Sequence, residues 1–194
     1  MAIKSDGTAV CAWVQKDDKY NYGQCDIDKW TDLVDISVGD YHTIGLKKDG
    51  TVVSAGNNQY NQCSVNDWKD IVDISCGQVQ TIGLKKDGTV VYAGDTSYKI
   101  GDVEQWENII SVATGDFQSI GLKADGTVVS TGYHMNSSEI DFGQSNVQNW
   151  NDIIAISMNS SGVVAMGLKA DGTVIAVGYN ANGQCDVQGW NLFK

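Results

Sequence analysis

The chain has no proline and no arginine among its 194 residues, and only two histidines. At a usual proline frequency of about 5%, about ten would be expected. All 13 cations are lysine against 24 acids, leaving a formal net charge of −11. A nucleic-acid partner normally needs a basic stripe read largely through arginine, so no nucleic-acid polymer is expected. No run approaches the roughly 20 apolar residues of a membrane helix, and no membrane is expected. The opening MAIKSDGTAV has neither the charged head nor the apolar core of a signal peptide, so the expected location is cytoplasmic. With His42 and His134 alone, general bases of the commonest kind are scarce. G-x-S-x-G, H-E-x-x-H and phosphate-cradling glycine loops are also missing, so the chain reads as a non-enzyme with no catalytic residue and no cofactor. The five cysteines form no C-x-x-C pair, which argues against a metal site. Their odd number predicts free thiols in a reducing compartment.

What is present is a repeat. Trp30, Trp68, Trp106, Trp150 and Trp190 recur at 38, 38, 44 and 40 residues. Between them the same text returns: TIGLKKDGTVVSAG from Thr43, TIGLKKDGTVVYAG from Thr81, SIGLKADGTVVSTG from Ser119 and AMGLKADGTVIAVG from Ala165. A fifth copy opens the chain as AIKSDGTAVCAW. Each of the later four follows a short apolar segment, LVDIS, IVDIS, IISVA or IIAIS, and leads into a polar, aromatic-rich loop. Self-similarity at this period marks stacked supersecondary units.

The local chemistry is β throughout. Asp-Gly between alternating apolar residues is the strongest short hairpin signal and predicts a type I′ turn. It occurs at Asp6-Gly7, Asp49-Gly50, Asp87-Gly88, Asp125-Gly126 and Asp171-Gly172. Threonine and paired valines follow, and these favour strands. Three or four short antiparallel strands per unit cannot bury both faces alone, whereas radial stacking of several units can. The expected fold is an all-β propeller of about five blades.

The text W-x-D-I-V-x-I-S-x-G-x-x-x-T-I-G-L-K-x-D-G-T-V-V-x-x-G, followed by N-x-x-G-Q, resembles the repeat of the regulator of chromosome condensation family. Gly178 to Gln184 is the nearest copy of its second half. The resemblance covers essentially the whole chain and implies a propeller, usually of seven blades. Seven would leave fewer than 28 residues each, so the count here departs from the family and five fit. The units are 31–68, 69–106, 107–150 and 151–190, with a composite fifth from 1–30 and 191–194. This fifth unit lacks an LVDIS-type strand. The expectation is a single domain closed by its two termini through an incomplete blade, whose free edge invites homo-oligomers.

The marking tryptophans are expected between blades. Cys25, Cys63 and Cys185 share one slot and read as small buried residues. Lys4, Lys47, Lys85, Lys123 and Lys169, two before each Asp-Gly, are expected on one side of the disc as solvated edge charges. Asp32, Asp70 and Asp152 at W-x-D are expected to cap turns with their side chains.

The variable loops carry the candidate binding residues. Eight before each marking tryptophan stand Tyr22, Tyr60, Tyr98, Phe142 and Asn182. Trp13, Tyr133 and Tyr179 lie nearby, and a second loop set adds Tyr41 and Phe117. Tyrosine among small polar residues gives large rigid contact area with adaptable hydrogen bonding. The competing reading packs these rings between blades. Residues 13–22 and 133–142 hold the insertions and mark where the repeat is specialised. The family resemblance implies work through loop faces, as in chromatin-bound exchange factors for a small GTPase and an inhibitor of β-lactamases. The expected function is protein binding through one loop face. The alternative is a small-ligand ring, lectin-like or sequestering a metabolite or nucleotide, and a third reading is a purely structural assembly role.

Overall fold

The computed structural model describes residues 1–12, 19–96, 100–116, 118–132 and 142–194. Five antiparallel sheets follow one another along the chain. The first has two strands, β1 (Ala2–Ile3) and β2 (Ala9–Val10). The other four have three each: β3 (Leu33–Val38), β4 (His42–Lys47), β5 (Val52–Gly56); β6 (Ile71–Cys76), β7 (Gln80–Lys85), β8 (Val90–Gly94); β9 (Ile109–Thr114), β10 (Gln118–Lys123), β11 (Val128–Gly132); and β12 (Ile153–Met158), β13 (Val164–Lys169), β14 (Val174–Gly178). In each of these the middle strand of the sequence is the middle strand of the sheet. Among the described residues a single 3₁₀ segment, Ile100–Gln105, precedes Trp106. The fold is the expected all-β propeller architecture.

Each Asp-Gly forms a hairpin, though not with the expected turn. Only the glycine takes a left-handed φ, as at Gly50 (+80°). The Gly50 amide donates to Lys47 O at 2.9 Å and the Lys47 amide to Thr51 O at 2.9 Å. This is the pattern of an ordinary-handed turn followed by a glycine bulge. Asp49 braces the turn with its side chain, Oδ1 accepting from both the amide (2.9 Å) and the hydroxyl (2.6 Å) of Thr51.

The LVDIS segments contain a bulge in every three-stranded sheet, between Leu33 and Asp35, Ile71 and Asp73, Ile109 and Ser111, and Ile153 and Ala155. One extra residue bends the strand and increases its local twist. Leu33 is buried while Val34 beside it is 58% exposed, the opposite-face alternation of neighbouring strand residues. The W-x-D aspartates also differ from expectation. Asp32, Asp70 and Asp152, with Asn108, hold left-handed backbone (φ 58–60°), a conformation that Asp and Asn tolerate. Their contribution is backbone geometry, with Asp32 also paired to Lys48 at 2.7 Å and Asp70 to Lys86.

The core lies between sheets. Ile44, Leu46 and Val52 of one sheet pack with Val65, Ile71, Ile74 and Cys76 of the next unit. Ile82, Leu84 and Val90 repeat the pattern with Val103, Trp106, Ile109 and Val112. The first strands are joined by side chains: Ser37 Oγ accepts from Cys76 N (2.9 Å), and Ser75 Oγ from Thr114 N (3.0 Å). Trp30, Trp106 and Trp150 are buried at these junctions, whereas Trp190 is 53% exposed.

The cysteine expectation needs correction. Cys11 and Cys25 form a disulfide across 14 residues, with Cα atoms 5.6 Å apart. Among the described residues Cys63, Cys76 and Cys185 are free. Cys25 lies beside the strand end that carries Cys11, a proximity that repeat spacing does not reveal. The cysteine argument for a reducing compartment loses its support.

Candidate loop-face binding site

Two loop sets share one edge of the blades. Asn57 N donates to Tyr41 O (2.8 Å), Asp95 N to Val79 O (3.2 Å) and Tyr179 N to Val163 O (2.9 Å), so the loops leaving β5, β8 and β14 start against the loops joining the first two strands of their sheets. The Asp-Gly turns lie at the other strand ends. Lys47, Lys85, Lys123 and Lys169 end the middle strands there, and Lys4 stands beside the first such turn. The lysines and the candidate tyrosines are thus on opposite edges.

The N-x-x-G-Q text explains how the aromatics are held. Gln24, Gln62, Gln144 and Gln184 each accept, through Oε1, the amide two residues earlier: Tyr22 (2.8 Å), Tyr60 (2.9 Å), Phe142 (2.8 Å) and Asn182 (2.9 Å). The Gln24 and Gln62 carbonyls accept from Thr43 and Thr81 hydroxyls at 2.8 Å, anchoring each loop to the next blade. Gln62 is 1% exposed. The backbone is therefore fixed from beneath while the rings point outward: Tyr22, Tyr60 and Phe142 are 41–46% exposed. Packing between blades does not account for rings this exposed.

The structure groups these rings at two places. Tyr22 meets Tyr41 edge-on at 5.4 Å, and Tyr20 stacks on Tyr41 at 6.0 Å, with Lys19 Nζ 4.6 Å from the Tyr20 ring centre. Beside them is a hollow of about 440 Å³ lined by Met1, Cys11, Tyr20, Gln24, Asp40 and Tyr41. Phe142 meets Tyr179 edge-on at 4.7 Å. Tyr60 lies between these groups in the repeat order. Trp13, Tyr98, Phe117 and Tyr133 fall outside the described residues. Tyr20 lies outside the eight-residue spacing, as Tyr41 and Tyr179 do, and its sequence position beside Tyr22 places it in the same loop.

The loops between first and second strands add polar groups. Gln78 Nε2 donates to Asp40 at 3.2 Å. Burial, and then the Asp40 charge, push the Asp116 carboxyl up to about 6. His42 is fully buried, with Nε2 2.9 Å from Thr81 Oγ1. Burial pushes it down to about 4 against an opposing pull from Asp40. A neutral, enclosed imidazole serves packing here and has no access to a substrate. Among the described residues, no three His, Cys, Asp or Glu side chains are grouped to hold a metal ion, and no helix is long and apolar enough to cross a membrane.

Residues 33–62 match the regulator of chromosome condensation (RCC1) repeat. No curated protein matches the chain. Among solved structures, the CRINKLY ectodomain of the Arabidopsis thaliana receptor kinase ACR4 is similar at 22% identity and a TM-score of 0.58, over 76% of this chain and 53% of that one. Prp20p from Saccharomyces cerevisiae, described with its binding to Gsp1p and histones, is similar at 17% identity and a TM-score of 0.60, over 82% and 51%. Yeast RCC1 (Prp20) bound to Kap60 gives 18%, 0.62, 82% and 49%. The chain spans about half the length of these structures, and the likeness is one of fold. Residues 33–62 thus carry a repeat of the regulator of chromosome condensation type, and the likeness shows a β-propeller fold.

Proposed function

We propose that this chain is a non-enzymatic binding propeller that engages a protein partner through its aromatic loop face. The observation that carries this reading is the clamped-backbone, exposed-ring arrangement at Tyr22, Tyr60 and Phe142. Rings presented on a preorganised backbone lose little entropy on binding, which suits contact anchors. Asp40 and Asp116 lie in the loops on the same edge, and the lysines of the Asp-Gly side lie opposite. This arrangement suits a partner with a basic, aromatic-accepting surface. The likeness to Prp20p, whose binding to Gsp1p and histones is described, is in keeping with such a role.

The test compares Tyr41→Ser/Tyr60→Ser with Lys47→Ser/Lys85→Ser in crosslinking and capture from the source cell. Loss of the same partner in the tyrosine variant alone, with unchanged melting, is expected. Equal loss in the lysine variant, or loss that tracks melting, would overturn the reading.

A second reading rests on the hollow beside the stacked Tyr20–Tyr41 pair. Its volume and aromatic wall suit a small planar or sugar-like ligand. Native mass spectrometry of freshly purified protein distinguishes the two: a discrete small adduct lost in Tyr41→Ser supports the ligand.

A further inference from the structure

Three loops meet on the loop face, each joining the first two strands of its sheet. Glycine lets them approach closely: a Cβ on Gly39 would collide with Gly77 O, and one on Gly77 with Gly115 O. The residues that follow these glycines, Asp40, Gln78 and Asp116, are thereby gathered. Gln78 Nε2 donates to an Asp40 carboxylate oxygen at 3.2 Å. Burial, and then the Asp40 charge, raise the Asp116 carboxyl, so the two acids act on one another. Asp116 Oδ1 is enclosed with no hydrogen-bond partner. Among the described residues the ion pairs are Lys48–Asp32 and Lys86–Asp70, both on the opposite edge, and neither answers these charges.

Asp40 is also a wall of the hollow of about 440 Å³, together with Tyr20 and Tyr41. The two rings are inclined by only 20°, with centres 6.0 Å apart, and Tyr22 meets Tyr41 edge-on. A carboxylate and aromatic rings therefore share one small cavity, and both attract cations. Tyr20 already holds one: Lys19 Nζ stands 4.6 Å from its ring centre, although Lys19 is not part of the hollow's lining.

Shape selects the kind of cation. A guanidinium is planar, weakly hydrated, stacks on aromatic rings and forks onto a carboxylate, whereas an ammonium is compact and strongly hydrated. Near-parallel rings with a carboxylate at their side fit the flat group. The chain itself has no arginine, so neither its own loops nor a second copy can place a guanidinium there.

We propose that the hollow lined by Tyr20, Tyr41 and Asp40 receives an arginine side chain of the protein partner, its guanidinium stacking on the rings and pairing with Asp40. This rests on the reading of the loop face as a protein-binding surface and gives that surface a specific target. A partner's arginine is favoured over a free guanidinium compound because Tyr22, 42% exposed on its clamped backbone, stands beside the same rings. A chain whose arginine enters the hollow lies against that exposed ring. Asp116 does not line the hollow and adds only negative potential, which speeds encounter with a basic partner.

The test is an NMR titration of the disulfide-bonded chain with the capped peptide acetyl-Gly-Arg-Gly-amide and its lysine and citrulline counterparts. The arginine peptide is expected to give saturable shifts at the amides of Gly39, Asp40 and Tyr41. The lysine peptide should bind more weakly, and the citrulline peptide, which keeps the shape and loses the charge, should not saturate. Asp40→Asn should weaken the arginine peptide by about tenfold or more, the effect of one charge-assisted contact, with the rest of the spectrum unchanged. Tyr20→Leu should weaken it several-fold. Equal binding of the lysine or citrulline peptide, the absence of shifts at these amides, or full affinity in Asp40→Asn would each overturn the proposal. Capture from the source cell separates this site from the wider reading. A partner lost in Tyr60→Ser but kept in Asp40→Asn overturns the arginine site alone, and one kept in both overturns the loop-face reading with it. Peptide binding with no captured protein assigns the hollow to a free guanidinium compound and likewise overturns the proposal.

Discussion

Trp30 packs against Gly45 so closely that a Cβ on Gly45 would stand 2.9 Å from the ring carbons Cε3 and Cζ3. The same pairing recurs at Trp68 and Gly83, Trp106 and Gly121, and Trp150 and Gly167. The tryptophan and the glycine of each repeat are thus two halves of one contact between blades.

Gly45→Ala is therefore expected to lower stability by about 1–3 kcal/mol, the usual cost of overpacking a filled core. Gly121→Ala should behave alike, since a Cβ there would stand 2.8 Å from the Trp106 ring carbons. Urea unfolding followed by tryptophan fluorescence reads both. A cost near zero would mean that the ring yields easily.

The loop face separates support from contact. Tyr60→Ser should change stability by no more than about 0.5 kcal/mol, as for an exposed side chain. Gln62→Ala should cost about 1–3 kcal/mol, because it empties a buried site and removes the acceptor of the part-buried Tyr60 amide. Thermal melting of the two variants side by side checks the difference.

Acid stability should show two opposed contributions. His42 falls from its ordinary 6.5 to about 4 in the folded chain, so the unfolded chain binds more protons between these values. Its stabilisation is full above pH 6.5 and is lost as pH falls towards 4, by roughly 3 kcal/mol in all. Asp116 is raised from 3.8 to about 6, so it opposes folding increasingly as pH rises from 3.8 to 6. His42→Gln, which places the residue found at Gln80 and Gln118, should remove the loss on acidification. Asp116→Asn should stabilise at pH 7 and leave the His42 slope uncovered. Urea titrations from about pH 4 to 8 give both slopes.

Thiol chemistry should count the disulfide. Unfolded but unreduced protein is expected to titrate three thiols, rising to five after reduction. In the native state Cys185, half-buried, should react first. Cys76 should wait for unfolding, since burial pushes its thiol up to about 12. Mass-resolved alkylation follows each site.

The sequence alone determined the repeat, its β character, the inter-blade place of the tryptophans and the exposed aromatic loops. These are local: Asp-Gly favours a hairpin wherever it stands, and an apolar text repeated in phase must bury the same face each time. Tertiary structure decided the rest. The bulge beside Val34 and the left-handed backbone at Asp32 come from fitting strands to a neighbouring blade. The Cys11–Cys25 bond joins two residues that repeat spacing does not bring together. The exposure of Trp190 depends on what lies beyond its own blade, which no single repeat encodes. The missing arginine and the −11 charge are properties of composition, while the exposure of Tyr22 and Tyr60 over a bonded loop backbone is one of the folded chain.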